Sequence, residues 1–141
     1  MIGMFSMILR LIVAFIFGSV LGYEREKKRG SAGLRTHILV CMGSALIMLT
    51  SLHLYDMYQG KASVDPGRIA AGVVTGIGFL GAGTIIRSKE GVKGLTTAAS
   101  LWISAAIGLA VGCGYISAAL ITTVITYLSL SYLKKVEQEM H

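Results

Sequence analysis

The chain has 141 residues, 54% of them hydrophobic and 14% charged, with a formal net charge of +6. A soluble domain carries more charge than this, and the length leaves room for one domain, residues 1–141, and not for a second. The positive charge does not point to nucleic acid, because the basic residues sit in short loops between apolar runs, where membrane topology accounts for them.

The first apolar run is Met4 to Tyr23. It lacks the basic start and the small-residue cleavage site of a signal peptide, and a basic cluster follows it instead. It reads as an uncleaved span. The second span is His37 to Tyr55, followed by a loop from Asp56 to Arg68. That loop ends in Asp65-Pro66-Gly67-Arg68. Asp at an N-cap with Pro in the first helical position signals a helix start at Pro66.

The third run, Ile69 to Ile86, reads IAAGVVTGIGFLGAGTII. About 18 apolar residues suffice to cross the hydrocarbon core as a helix. Gly72, Gly76, Gly78, Gly81 and Gly83 lie inside it. Such a density makes a poor helix in water, but in a bilayer glycine lets backbones approach closely. The fourth span is Leu95 to Gly112 and the fifth Tyr115 to Leu133, joined by Gly112-Cys113-Gly114 as a tight helical hairpin. The predicted fold is an all-α integral membrane bundle of about five transmembrane helices.

Basic residues favour the cytoplasm. Arg25, Lys27, Lys28, Arg29 and Arg35 follow span one, Arg87, Lys89 and Lys93 follow span three, and Lys134 and Lys135 follow span five. The opposite side holds Lys61 and Arg68, with Arg10 ambiguous. This predicts an external N-terminus and a cytoplasmic C-terminus.

Small residues recur at spacing four: Ala14, Gly18 and Gly22; Gly72 and Gly76; Gly108 and Gly112. The spacing suits packing within the bundle first and a dimer seam second. Gly76 to Gly81 matches the dinucleotide fingerprint G-x-G-x-x-G, but it lies inside an apolar span without the required strand and acidic residue. Gly81-Ala82-Gly83-Thr84 could break a helix as transporters do, although close packing is the simpler reading.

Polar residues mark the membrane edges. Glu24 closes span one, and Arg35, Thr36 and His37 open span two. An acid at the hydrocarbon boundary needs a partner, and Arg35 is the expected one, through a bidentate pair. The pair would clamp two spans or form a polar site. Asp65 and Arg68 form a similar edge on the other side, with Asp65 first of all a cap. Arg10 either snorkels or pairs internally. Magnesium requires several oxygens in near-octahedral geometry, and no acid lies in mid-span. His37, His53 and His141 are scattered, and Cys41 and Cys113 are not expected to form a disulfide. Thr84, Thr96, Thr97, Ser100 and Ser104 suit bonds to backbone carbonyls or between helices. No nucleophile–base–acid set appears, so neither an enzyme nor a cofactor is expected.

GYEREKKR, AGLRTH, DPGRIAAGVVTGIGFLGAGTIIR and VKGLTTAASLWISAAIGLAVG, in that order, resemble the MgtC/SapB family of bacterial inner-membrane proteins. The resemblance runs from about Arg10 to the fifth span. It implies a multi-pass plasma-membrane protein tied to growth in low magnesium and, in pathogens, to survival inside phagocytes. It also implies modulation of membrane partners such as ATP synthase; a magnesium pump and a second copy of the chain, through the small-residue seams, are further candidate partners. The family's motifs fall here on Glu24, Arg25, Ala32, Gly33, Leu34, Arg35, Thr36 and His37. They continue on Asp65, Arg68, Gly76, Gly78, Gly81, Gly83, Gly94, Thr96 and Thr97. Larger members carry a soluble domain after the membrane part, whereas this chain stops at His141, so a minimal membrane module is expected. The leading expectation is an accessory protein acting by helix contact. The alternative is a small cation transporter with Glu24 and Asp65 at its mouths.

Overall fold

The computed structural model describes residues 2–59, 63–89 and 91–139, with side chains as far as residue 133. Among them are α1 (Met4–Lys27), α2 (Leu34–Tyr58), α3 (Pro66–Gly83), β1 (Ile86–Ser88), β2 (Gly91–Lys93), α4 (Leu95–Cys113) and α5 (Ile116–Glu139). Four segments are long and apolar enough to cross a bilayer: α1, α2, α4 and Ile116–Leu133 of α5.

The third helix departs from expectation. It starts at Pro66, where the Asp65 side chain accepts the Gly67 N–H at 2.8 Å, as the cap signal predicts. It ends at Gly83, before the predicted Ile86. Thr84 stops it: its N–H and its Oγ1 both donate to the Gly81 carbonyl, at 3.0 and 2.8 Å. The Gly81–Thr84 segment is therefore a helix end and not a break within a span. Its 18 residues are not among the segments long and apolar enough to cross, and a rise of about 1.5 Å per residue makes it about 27 Å long.

The predicted loop after α3 is a two-stranded antiparallel hairpin, with Arg87 opposite Val92, so the chain is not purely α. Gly91, at φ +124°, lies in the left-handed region that favours glycine. Gly94, at φ +93°, lies so close to the Thr84 carbonyl that a side chain there would collide with it. The hairpin thus folds back onto the end of α3.

Glycine and serine decide how the long helices meet. A Cβ at Gly18 would lie 2.9 Å from the His37 carbonyl, and one at Gly22 would lie 2.8 Å from Leu34 backbone atoms. Gly112 stands equally close to Ala45, and Gly108 meets the Cys41 carbonyl. So α2 is clasped between the small face of α1 and that of α4, as the spacing-four pattern predicts. Cys41 and Ala45 of α2 fill the seam with Ala14, Leu21, Ile107, Val111 and Ala119. A smaller cluster of Ala32, Ile77, Leu101 and Ala105 anchors α3 to α4.

The second predicted loop is shorter than expected, because α2 continues through Asp56 to Tyr58. Lys61 and His141, and the side chains of Lys134 and Lys135, lie outside the description. The alternating helix directions bring Arg25, Lys27, Lys28, Arg29, Arg35, Arg87, Lys89 and Lys93 to one end of the bundle. Hydrogen bonds between α1 and α4 and between α1 and α5 tie that end together.

Candidate functional site

At the basic end, α1, α2, α4 and α5 share a network of polar side chains. Glu24 is buried to 3% exposure and pairs with Lys28 Nζ at 3.2 Å, one helical turn on. The expected Glu24–Arg35 pair is not made. Arg35 is exposed and lines a groove between α2 and α3. The reason is local geometry: residues at i and i+4 on one helix face already meet. Lys28 Nζ also donates to the carbonyls of Leu130 and Ser131, at 3.1 and 2.9 Å, which joins α1 to α5.

Beside it, Arg25 Nη2 donates to Thr97 Oγ1 at 2.7 Å. Its Nε is buried and has no partner among the described residues. The guanidinium lies over Gly30, where a Cβ would stand 2.8 Å from Nη2.

His37 is fully buried. Its Nδ1 lies 2.8 Å from the Gly33 carbonyl. A carbonyl can only accept, so Nδ1 carries the proton and, in the neutral ring, Nε2 is the acceptor. Ser100 Oγ stands 3.0 Å from Nε2 and 2.8 Å from the Thr97 carbonyl. One hydroxyl proton therefore serves either the His37 Nε2 or the Thr97 carbonyl, which is also the helical acceptor of the Leu101 N–H. Ser104 donates to the Ser100 carbonyl at 2.8 Å, as the sequence reading expects of these hydroxyls.

The remaining candidates fall elsewhere. Thr36 lies at the head of the α2–α3 groove, and exposed Thr96 lines a basic cavity beside Arg25. Asp65 and Arg68 sit at the far end of the bundle, where Ser51 Oγ of α2 donates to the Pro66 carbonyl at 2.6 Å. They share no site with Glu24. Arg10 pairs internally, donating to the Gly112 carbonyl at 2.7 Å.

The glycines of α3 behave against expectation. Gly81 packs on Ala98 at 3.6 Å, but nothing lies within 4 Å of a Cβ placed at Gly72, Gly76, Gly78 or Gly83. Packing inside the bundle does not use these positions. The groove between α2 and α3, of about 760 Å³, runs beside them and is lined by Leu39, Gly43, Gly72 and Gly76 among others.

Sequence reasoning missed Lys28, Glu26 and the Ser100–His37 bond. The i, i+4 spacing of Glu24 and Lys28 is the one signal that could have found the first. Both cysteines are free, Cys41 buried and Cys113 exposed. Among the described residues, no three His, Cys, Asp or Glu side chains gather as a metal-binding group.

Residues 11–139 match the MgtC family model. The chain is 45% identical over 125 residues to YhiD of Escherichia coli K12, which is named as a candidate magnesium transporter. That match covers 87% of this chain and 58% of YhiD. It is 43% identical over 139 residues to Protein MgtC of Salmonella typhimurium LT2, covering 98% of this chain and 57% of that protein. A Haemophilus influenzae protein is 38% identical over 136 residues, with 94% of this chain and 57% of that one covered. The chain thus spans less than two thirds of the length of these relatives. No solved structure matches it significantly. The buried Glu24–Lys28 and Arg25–Thr97 contacts lie where the expected motifs meet, and with the family match over nearly the whole chain they lead to one conclusion: this is a membrane protein of the MgtC family.

Proposed function

We propose that the chain is a non-enzymatic protein of the bacterial plasma membrane, linked to magnesium homeostasis, which acts by packing α3 against a helix of another membrane protein. The observation that carries this is the open glycine face of α3. Gly72, Gly76 and Gly83, which share one side of the helix with Phe79, have nothing within 4 Å of a Cβ position, and Phe79 is 84% exposed. Small-residue faces drive close helix association in bilayers, where apolarity alone does not. The magnesium link draws on the relatives' names. In this reading the basic end faces the cytoplasm, following the positive-inside rule.

A photo-crosslinker at Phe79 in living cells tests the reading. A discrete adduct with another membrane protein, lost in G72L/G76L, is the expected result. Capture of lipid alone, or an adduct indifferent to those substitutions, would sink it. Self-capture would place the contact between two copies.

The relative named as a candidate magnesium transporter supports a second reading, with α3 lining a path and buried Glu24 near one mouth. Magnesium flux in liposomes holding only this protein decides it. Flux abolished by E24Q in folded protein would favour transport over the accessory role, and absence of flux would favour the accessory role.

A further inference from the structure

α3 rests on α4 through Gly81, which packs on Ala98 at 3.6 Å, and through Ile77, which clusters with Leu101 and Ala105. At 3.6 residues per turn, the side turned away from α4 carries Arg68, Gly72, Gly76, Phe79 and Gly83, with the cap Asp65 at its head. No described residue covers this side. A Cβ at any of the three glycines meets nothing within 4 Å, Phe79 is 84% exposed, and Asp65 and Arg68 are exposed.

The two charges at its head say what fits there. Asp65 Oδ1 accepts the Gly67 N–H, and its other oxygen takes no bond from the described residues. Arg68 donates its backbone N–H to the Asp65 carbonyl, but its guanidinium pairs with no described residue, Asp65 included. An acid and a base thus share one open face without meeting each other. Copies of one chain enter a membrane in the same orientation, since the same loops set their topology. Two α3 helices therefore meet parallel, about a two-fold axis along the membrane normal. Such an interface is isologous: if residue i of one copy touches residue j of the other, j also touches i. Asp65 and Arg68 lie about 4.5 Å apart along the axis, a step that an arginine side chain spans, so the two copies offer two reciprocal ion pairs. A face of one charge sign would repel its own image, whereas this face attracts it. Beyond the charges, Gly72 and Gly76 supply the spacing-four step at which helices cross closely in a bilayer.

We propose that two copies of this chain pair through α3, parallel and two-fold, with Asp65 of each against Arg68 of the other. The pairing rests on the reading that α3 packs against a helix, and it adds a regulation of that contact. While a second copy covers the face, the face is closed to a helix of another membrane protein, so engagement of that protein requires the pair to separate.

The test is energy transfer between full-length chains labelled at the exposed Cys113, in phosphatidylcholine liposomes that hold no other protein. Transfer is expected to rise with the protein-to-lipid ratio and to fall when unlabelled chain is added in excess. D65N, R68E and G72L should each weaken association about tenfold, the scale of two exposed pairs lost together, and R35Q, at the other end of the bundle, should not. Asparagine caps a helix as well as aspartate does, so D65N reads the charge and not the cap. R68E and D65K chains, each weak alone, should pair with one another, because their mixture restores opposite charges at both contacts. R68E alters an exposed side chain, so it reads the interface even where D65K, which lacks the cap, fails to fold. Transfer no greater than dilution predicts, or equal in wild type, D65N and R68E, overturns the pairing and leaves the contact with another protein to the crosslinker at Phe79. Capture of a second copy alone at Phe79 leaves the pairing standing and removes the other protein. Where another protein is captured, D65N should raise the yield of that adduct, and an unchanged or lower yield overturns the masking.

Discussion

Glu26 of α1 caps α2: its Oε2 accepts the Leu34 N–H at 2.9 Å, across a turn in which Gly33 leaves the carboxylate room. A Cβ at Gly33 would overlap that oxygen. The carboxylate is the far end of a flexible side chain, so it would swing away and the cap would be lost. G33A and E26A should each destabilise the chain by about 1 kcal/mol, the usual worth of an N-cap. The double variant should lose hardly more than either. Thermal unfolding in detergent reads all three.

The glycines divide into two classes by position. G108A drives a methyl into the Cys41 carbonyl, and G18A drives one into His37 and Ile38 backbone atoms at 2.9 Å. Backbone cannot yield as a side chain can, and overpacking of this kind costs about 1–3 kcal/mol. G72A and G76A meet nothing within 4 Å and should leave the melting temperature unchanged or raise it slightly, since alanine is the better helix former. Equal losses at all four positions would contradict the packing described.

Glu24 and Lys28 should respond unequally. Glu24 is the more deeply buried of the two, with its side chain 4% exposed against 22% for Lys28. K28M strands a buried carboxylate, a change worth about 3–5 kcal/mol in fully buried pairs and less here because Lys28 is partly solvated. E24Q/K28M removes both charges and should recover the part of the loss due to the stranded carboxylate, leaving that of the two Lys28 bonds to α5. Denaturant or thermal unfolding of the two variants side by side checks the order.

His37 and Ser100 form a coupled pair. S100A removes the one donor available to Nε2 in the buried neutral ring, and a stranded buried acceptor costs about 1–3 kcal/mol. In an H37F background the same S100A change should be nearly silent. A double-mutant cycle without coupling would show that the Ser100 proton resides on the Thr97 carbonyl.

The long helices were legible because their apolar runs, and the spacing of Gly18, Gly22, Gly108 and Gly112, carry packing information within one helix. The start of α3 was legible for the same local reason, in Asp65-Pro66. Its end was not, because Ile85 and Ile86 are apolar whether they continue a helix or open a strand, and only the fold-back at Gly94 decides between them. Of the polar cluster at the basic end, Glu24, Arg25, His37 and Thr97 stood out in the sequence as polar residues at a membrane edge, but their partners did not. Arg35 looked like the match for Glu24 on chemistry, while Lys28 held the better position. The unused glycine face of α3 could not be read at all, since spacing does not say whether a face is occupied.

Arg10 and Arg25 bind acceptors 102 and 72 residues further along the chain. Synthesis therefore delivers α1 to the bilayer long before either cation has an acceptor, and a charge waiting in hydrocarbon is costly. The first helix to be made is therefore among the last to be settled: its polar contacts are complete only when α4 and, through Lys28, α5 have been made.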